Sequence, residues 1–177
     1  MRNAFFSRLG LSVLALALGS ACAKNPPPEE ARPTEKASAP AAAPAPHGGI
    51  QWANAPEGTT DVALAVRDAA ARAQKDGRSL LVYVGATWCE PCQRFHHAVE
   101  QGELDSAFPQ LSVLAFDTDR DGEALANAGY VSRLIPLFAV PNADGRASGR
   151  QIEGSVKGAA AASEITPRLR ALLAGGS

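Results

Sequence analysis

Five residues, Trp88-Cys89-Glu90-Pro91-Cys92, constrain this chain more than any others, because they follow closely on an apolar run, Leu80-Leu81-Val82-Tyr83-Val84. The β-branched and aromatic side chains of that run have the character of a buried strand, and a helix is expected after the second cysteine. Two thiols separated by two residues, where a strand hands over to a helix N-terminus, can open and close a disulfide at little structural cost. Closing so short a loop removes little freedom from the unfolded chain, so the pair suits chemistry better than stapling.

At 177 residues with 46% hydrophobic side chains, the chain can bury the core of one ordinary domain. A formal charge of -1 gives no electrostatic case for nucleic acid, whose binding relies on clustered Lys and Arg. There is no Gly-rich phosphate loop, and hence no support for a nucleotide site.

Arg2 and Arg8 precede a short apolar run, Leu9 to Leu18, and Gly19-Ser20-Ala21 then lead to Cys22. That is the pattern of an export signal, and the run is too short to span a bilayer comfortably. Small residues ending in a cysteine resemble the lipobox of bacterial lipoproteins, in which the signal, here residues 1–21, is cleaved and the cysteine, here Cys22, takes the lipid. Gly19 stands where that pattern has Leu, with Leu18 one step further away, so cleavage as an ordinary secretory signal after Ala21 or Ala23 stays open. The expected location is the periplasmic side of a bacterial membrane as a lipoprotein, or else soluble in the periplasm or secreted. With Cys22 lipidated, Cys89 and Cys92 are the remaining thiols of the three.

Residues 22–49 are Pro- and Ala-rich, without aliphatic periodicity, and read as a linker. The folded domain is expected over 50–177, starting near Ile50-Gln51-Trp52. Thr59 or Thr60 is expected to cap a helix from Asp61 to about Lys75, with Val62, Leu64, Ala65, Val66, Ala69 and Ala73 as its apolar stripe. Strands are expected at Leu80–Val84, Leu111–Phe116, Leu137–Val140 and Ala147–Glu153, the last two as a hairpin turning at Asn142-Ala143-Asp144-Gly145. Further helices are expected after the Cys pair, over Gly122–Gly129 behind a polar loop Asp117–Asp121, and from Ala159 or Ser163 to Leu173, with Pro167 near the start of the last. The fold class is α/β, a mixed sheet of about four strands covered by helices on both faces.

Trp-Cys-Glu-Pro-Cys at a strand-helix junction, Ile135-Pro136 opening a later strand, and Gly154 after the hairpin together resemble the thioredoxin superfamily over about Thr59 to Leu173. The Glu-Pro dipeptide resembles some membrane-tethered thioredoxins of cytochrome c maturation. The run Cys-Gln-Arg-Phe-His-His and the loop Asp117-Thr118-Asp119 look more like the periplasmic domain of the transmembrane reductant DsbD. The family has a buried Asp six residues before the first cysteine, where it assists proton transfer at the second thiol. Here that position is Tyr83, and His96, four residues after Cys92 on the same helix face, is the nearest substitute.

The resemblance implies an extracytoplasmic thiol-disulfide oxidoreductase that reduces protein disulfides and needs no cofactor beyond the Cys89–Cys92 pair. Cys89, at the helix N-terminus, is the expected nucleophile, and Cys92, one turn in and more buried, the resolving thiol. Pro136 is expected to be the family's cis-proline, with Ile135 beside it in the substrate-binding edge; a trans-proline at a strand edge is the plainer alternative. Trp88 is expected to shield the disulfide or simply to pack, and Glu90 and Pro91 to tune the redox potential, Pro91 serving equally as a helix starter. Expected partners are protein thiols and disulfides, a transmembrane thiol reductant as electron donor, and a membrane through the lipid anchor. The alternative function is a tethered copper-binding or copper-delivery protein using Cys89, Cys92 and His96. His97 reads as a solvated helix residue.

Overall fold

The computed structural model describes residues 48–175. The proposed signal, Cys22 and nearly all of the Pro/Ala-rich segment lie outside the described residues. Within them the chain runs β1 (Gly49–Asn54), α1 (Val62–Lys75), β2 (Ser79–Gly85), α2 (Glu90–Glu100), β3 (Gln110–Asp117), α3 (Thr118–Asn127), β4 (Leu137–Pro141), β5 (Ala147–Glu153) and α4 (Ala161–Ala174).

The sheet order is β1-β3-β2-β4-β5, which puts β2 at the centre. β1 and β2 each pair in parallel with β3, whereas β4 runs antiparallel to β2, and β5 to β4. Alternation along β2 feeds two separate cores, since successive strand side chains leave opposite faces. Leu81 and Tyr83 join Phe95 of α2 and Ile165 and Leu169 of α4 on one face. On the other, Val82 and Val84 meet Val62, Val66 and Ala69 of α1 and Leu125 of α3. Because β2 is buried on both faces, it reads as a continuous apolar run rather than an alternating one.

The mixed sheet expected at about four strands has five, the fifth being β1, a half-buried edge too mixed in polarity to stand out in the sequence. Other expectations need correction. Helix α1 is capped by Asp61, whose carboxylate accepts from the Leu64 N–H at 2.9 Å, and Leu64 is exposed rather than part of the inner stripe. Helix α3 begins at Thr118 rather than Gly122, because Asp117 accepts from the N–H groups of Asp119 and Arg120 and so turns the expected polar loop into a first helical turn. Pro167 lies inside α4, six residues past its first, and not at its start. On that helix Ile165 and Leu169 are fully buried, with Leu172 and Leu173 partly covered.

Candidate functional site

Cys89 is the N-cap of α2 and Pro91 falls in its first turn, where the lost N–H has no helical partner to serve. The two cysteines form a disulfide with their Cα atoms 5.2 Å apart. The Cys92 N–H points at Cys89 Sγ at 3.3 Å, so the Cys89 sulfur also fills the capping role that a Ser or Asp oxygen plays elsewhere. Both residues are buried, Cys89 at 4% and Cys92 at 3% exposure, so burial does not set them apart as expected. Position does: Cys89 precedes the helix at its positive end, and Cys92 lies within it.

The Ile135–Pro136 peptide is cis, and Pro136 leads directly into β4 beside the central strand. Trp88 is 67% exposed, and its indole N–H donates to Asp119 Oδ2 at 2.7 Å. Glu90 accepts the backbone N–H of Gly158 on both carboxylate oxygens, at 3.0 and 3.1 Å, and stands 3.4 Å from Arg94. Gln93, in the second turn of α2, donates its side-chain amide to the Thr87 carbonyl and so ties the helix back to the segment before it. The sequence gives no sign of the parts played by Asp119, Gln93 and Gly158 beyond the likeness carried by the Cys-Gln-Arg-Phe-His-His and Asp117-Thr118-Asp119 runs.

Beneath the disulfide lies an aromatic floor. Phe95 meets Phe138 edge-on at 4.8 Å, Tyr83 stacks near Phe95 at 6.4 Å, and Trp52 from β1 leans on Tyr83 at 4.8 Å. The Tyr83 hydroxyl turns back over Gly85, where a Cβ would run into it, so this residue pair fits only with Gly at 85. Burial, with the negative charge of Asp117 adding to it, pushes the Tyr83 phenol well above its ordinary range, so it stays protonated where carboxylates are charged. A phenol in that state donates a hydrogen bond but takes up no proton.

Behind Cys92 a cleft of about 500 Å³ opens at the ends of β1, β2 and β3, lined among others by Trp52, Tyr83, Cys92, His96, Asp117 and Arg120. His96 is half-buried there, its ring 4.7 Å from that of Trp52 and its Nδ1 3.7 Å from Glu100. The structure thus brings His96 and Cys92 to one cleft. His97 is exposed, as a solvated helix residue should be. Among the described residues no group of three His, Cys, Asp or Glu side chains is placed to hold a metal ion. No helix among the described residues is long and apolar enough to cross a membrane.

Residues 62–143 match the profile of a family described as Thioredoxin-like. No curated protein matches the chain. Among solved structures, a poplar thioredoxin h is 23% identical, over 71% of this chain and 97% of that one, with a TM-score of 0.45. A thioredoxin of Trichomonas vaginalis is 23% identical over 71% and 96%, with a TM-score of 0.44. Oxidised thioredoxin O1 of Arabidopsis thaliana is 17% identical over 72% and 96%, with a TM-score of 0.43. The sheet order, the helices on both faces, the Cys pair at the end of the central strand and the family match identify the fold as thioredoxin-like.

Proposed function

We propose that this chain is an extracytoplasmic thiol-disulfide oxidoreductase that reduces disulfides in protein clients through the Cys89/Cys92 dithiol. The observation that carries the reading is the closed Cys89–Cys92 disulfide at the end of the central strand, on the N-terminus of α2. In the reduced protein the Cys89 thiolate, favoured by the helix end, attacks one sulfur of a client disulfide. That S–S bond breaks, a Cys89–client bond forms, and the first client thiolate leaves. The Cys92 thiolate then attacks Cys89 Sγ, releases the second client thiolate and closes the Cys89–Cys92 disulfide. Two electrons pass to the client, and a dithiol donor, in this reading a transmembrane thiol reductant, returns them by the same steps in reverse.

Cys92 must lose its proton before it attacks, and Tyr83 is no acceptor. His96 serves in its place, supported by the cleft that it shares with Cys92. The N-terminal sequence supports the location: Arg2 and Arg8, the run to Leu18 and the small residues before Cys22 suit export with lipid attachment at Cys22. Replacing Cys22 with Ala and following fatty-acid incorporation tests the anchor.

A redox titration of the Cys89/Cys92 couple tests the direction of electron flow. A reductase is expected near the potential of thioredoxin, about -270 mV, and a value near about -120 mV would overturn that direction. The Cys89→Ser variant is expected to lose disulfide reduction, and Cys92→Ser to accumulate a client mixed disulfide. Unchanged turnover in Cys89→Ser would sink the enzyme reading altogether.

A further inference from the structure

We propose that Glu90 is a positioning residue whose carboxylate latches the loop from Gly154 to Gly158, between β5 and α4, across the rim of the disulfide, and so shapes the groove that receives an extended polypeptide client. The part about the client rests on the oxidoreductase reading; the latch itself does not.

The loop is fastened at both ends. At one end the Gly154 N–H donates to the Pro136 carbonyl at 2.8 Å. At the other the Gly158 N–H reaches both oxygens of Glu90, the residue next to Cys89, at 3.0 and 3.1 Å. Five residues therefore bridge from the cis-proline to the cysteine helix. Close packing fixes the first end further, since Gly154 has a φ of +67° and a Cβ there would lie 3.0 Å from Leu134 Cδ1. Helix α4 braces the loop from behind: Ser155 Oγ donates to Glu164 at 2.8 Å, and Arg168 Nη1 donates to the Gly154 carbonyl at 2.9 Å. What the loop holds out between its fastened ends is Val156 and Lys157, both exposed. Val156 joins Trp88 and Leu134 among the few large apolar side chains the domain exposes.

A carboxylate accepting a backbone N–H makes a charge-assisted bond, stronger than a neutral one. Removing it frees the Gly158 end of the loop, while Pro136, Glu164 and Arg168 still hold the other. The effect is then on the placing of Val156 and Lys157, hence on client recognition. Expected of Glu90 from the sequence was something else, a charge that tunes the potential of Cys89. The two roles come apart by substitution: Glu90→Gln keeps a carbonyl for the Gly158 N–H and discards the charge, whereas Glu90→Ala discards both.

The test compares the two variants and the wild type as full chains, by amide hydrogen exchange, by redox titration, and by steady-state reduction of insulin and of a small aromatic disulfide. A latch predicts that the Gly158 amide loses protection about tenfold in Glu90→Ala relative to Glu90→Gln, while amides of β2 exchange alike in both. It also predicts a KM for insulin about fivefold higher in Glu90→Ala than in Glu90→Gln, with the small disulfide turned over alike by the two. Potentials shifted equally in both variants, with equal KM values and unchanged Gly158 exchange, would overturn the latch and leave a pure charge effect. If the wild type reduces neither disulfide, the oxidoreductase reading fails, and Gly158 exchange still decides the latch.

Discussion

The indole N–H of Trp88 is held at 2.7 Å by Asp119, a residue from the first turn of another helix on the opposite face of the sheet from α2. An indole exposed to 67% has little packing to fix it, so this one bond orients the largest apolar surface beside Cys89. Asp119→Ala is expected to raise the KM for protein disulfides about threefold without moving the redox potential, because the lost group holds Trp88 and not the sulfurs. Steady-state Trp88 fluorescence anisotropy should fall in the same variant. An unchanged anisotropy would mean that the indole is fixed by other contacts.

His96→Gln is expected to slow the resolving step about tenfold near neutral pH, seen as a persistent client mixed disulfide. The groups facing the cleft with it are Tyr83, Asp117, Arg120 and Glu57, with Glu100 on its own helix. At a pH high enough for the thiol to ionise without help, the difference from wild type should close. A defect of constant size from pH 6 to pH 10 would assign His96 to packing against Trp52 instead.

Raised tyrosine pKa values make a prediction about alkaline stability. Burial first, then Asp117, raises the phenol of Tyr83 above its ordinary 10.0, and burial with Asp144 raises Tyr130 likewise. The unfolded chain therefore gives up these protons at lower pH than the folded one. Stability from each group is complete below pH 10 and is lost as pH rises further, by about 1.4 kcal/mol per pH unit per tyrosine. Urea unfolding of Tyr83→Phe should show a flatter decline than the wild type between pH 10 and 11. Equal slopes would place the Tyr83 hydroxyl in contact with water.

Phe95 and Phe138 are fully buried and meet edge-on beneath the disulfide. Truncating either to Ala is expected to cost about 3–5 kcal/mol in denaturant unfolding, the sum of lost burial and the cavity left behind. Phe95→Leu should recover most of that. A loss below about 1 kcal/mol would show that α2 can settle into the space.

Legibility followed locality. The run Leu80–Val84 and the cysteines after it marked β2 and the start of α2, because burial on both faces leaves an unbroken apolar segment and the helix begins within the motif itself. The β4–β5 hairpin was visible through its Asn-Ala-Asp-Gly turn. Edge strand β1 was not, since its half-buried Gln51 and Trp52 and exposed Asn54 carry neither alternation nor an apolar run. Helix α3 started early because Asp117 caps it, and a run of Asp, Thr, Asp and Arg reads equally well as a loop until the cap is seen. At the site, the residue types were legible but their partners were not. Glu90 and Gly158 are 68 positions apart, Trp88 and Asp119 are 31 apart, and nothing in local spacing joins them.

The parallel pairing of β1 with β3, and of β3 with β2, gives the domain two poles. Gly49 opens β1 beside Gln110, at the end where β2 begins, and the disulfide follows the end where β2 finishes. Chain arriving from the N-terminal side therefore joins the domain at the pole away from the sulfurs.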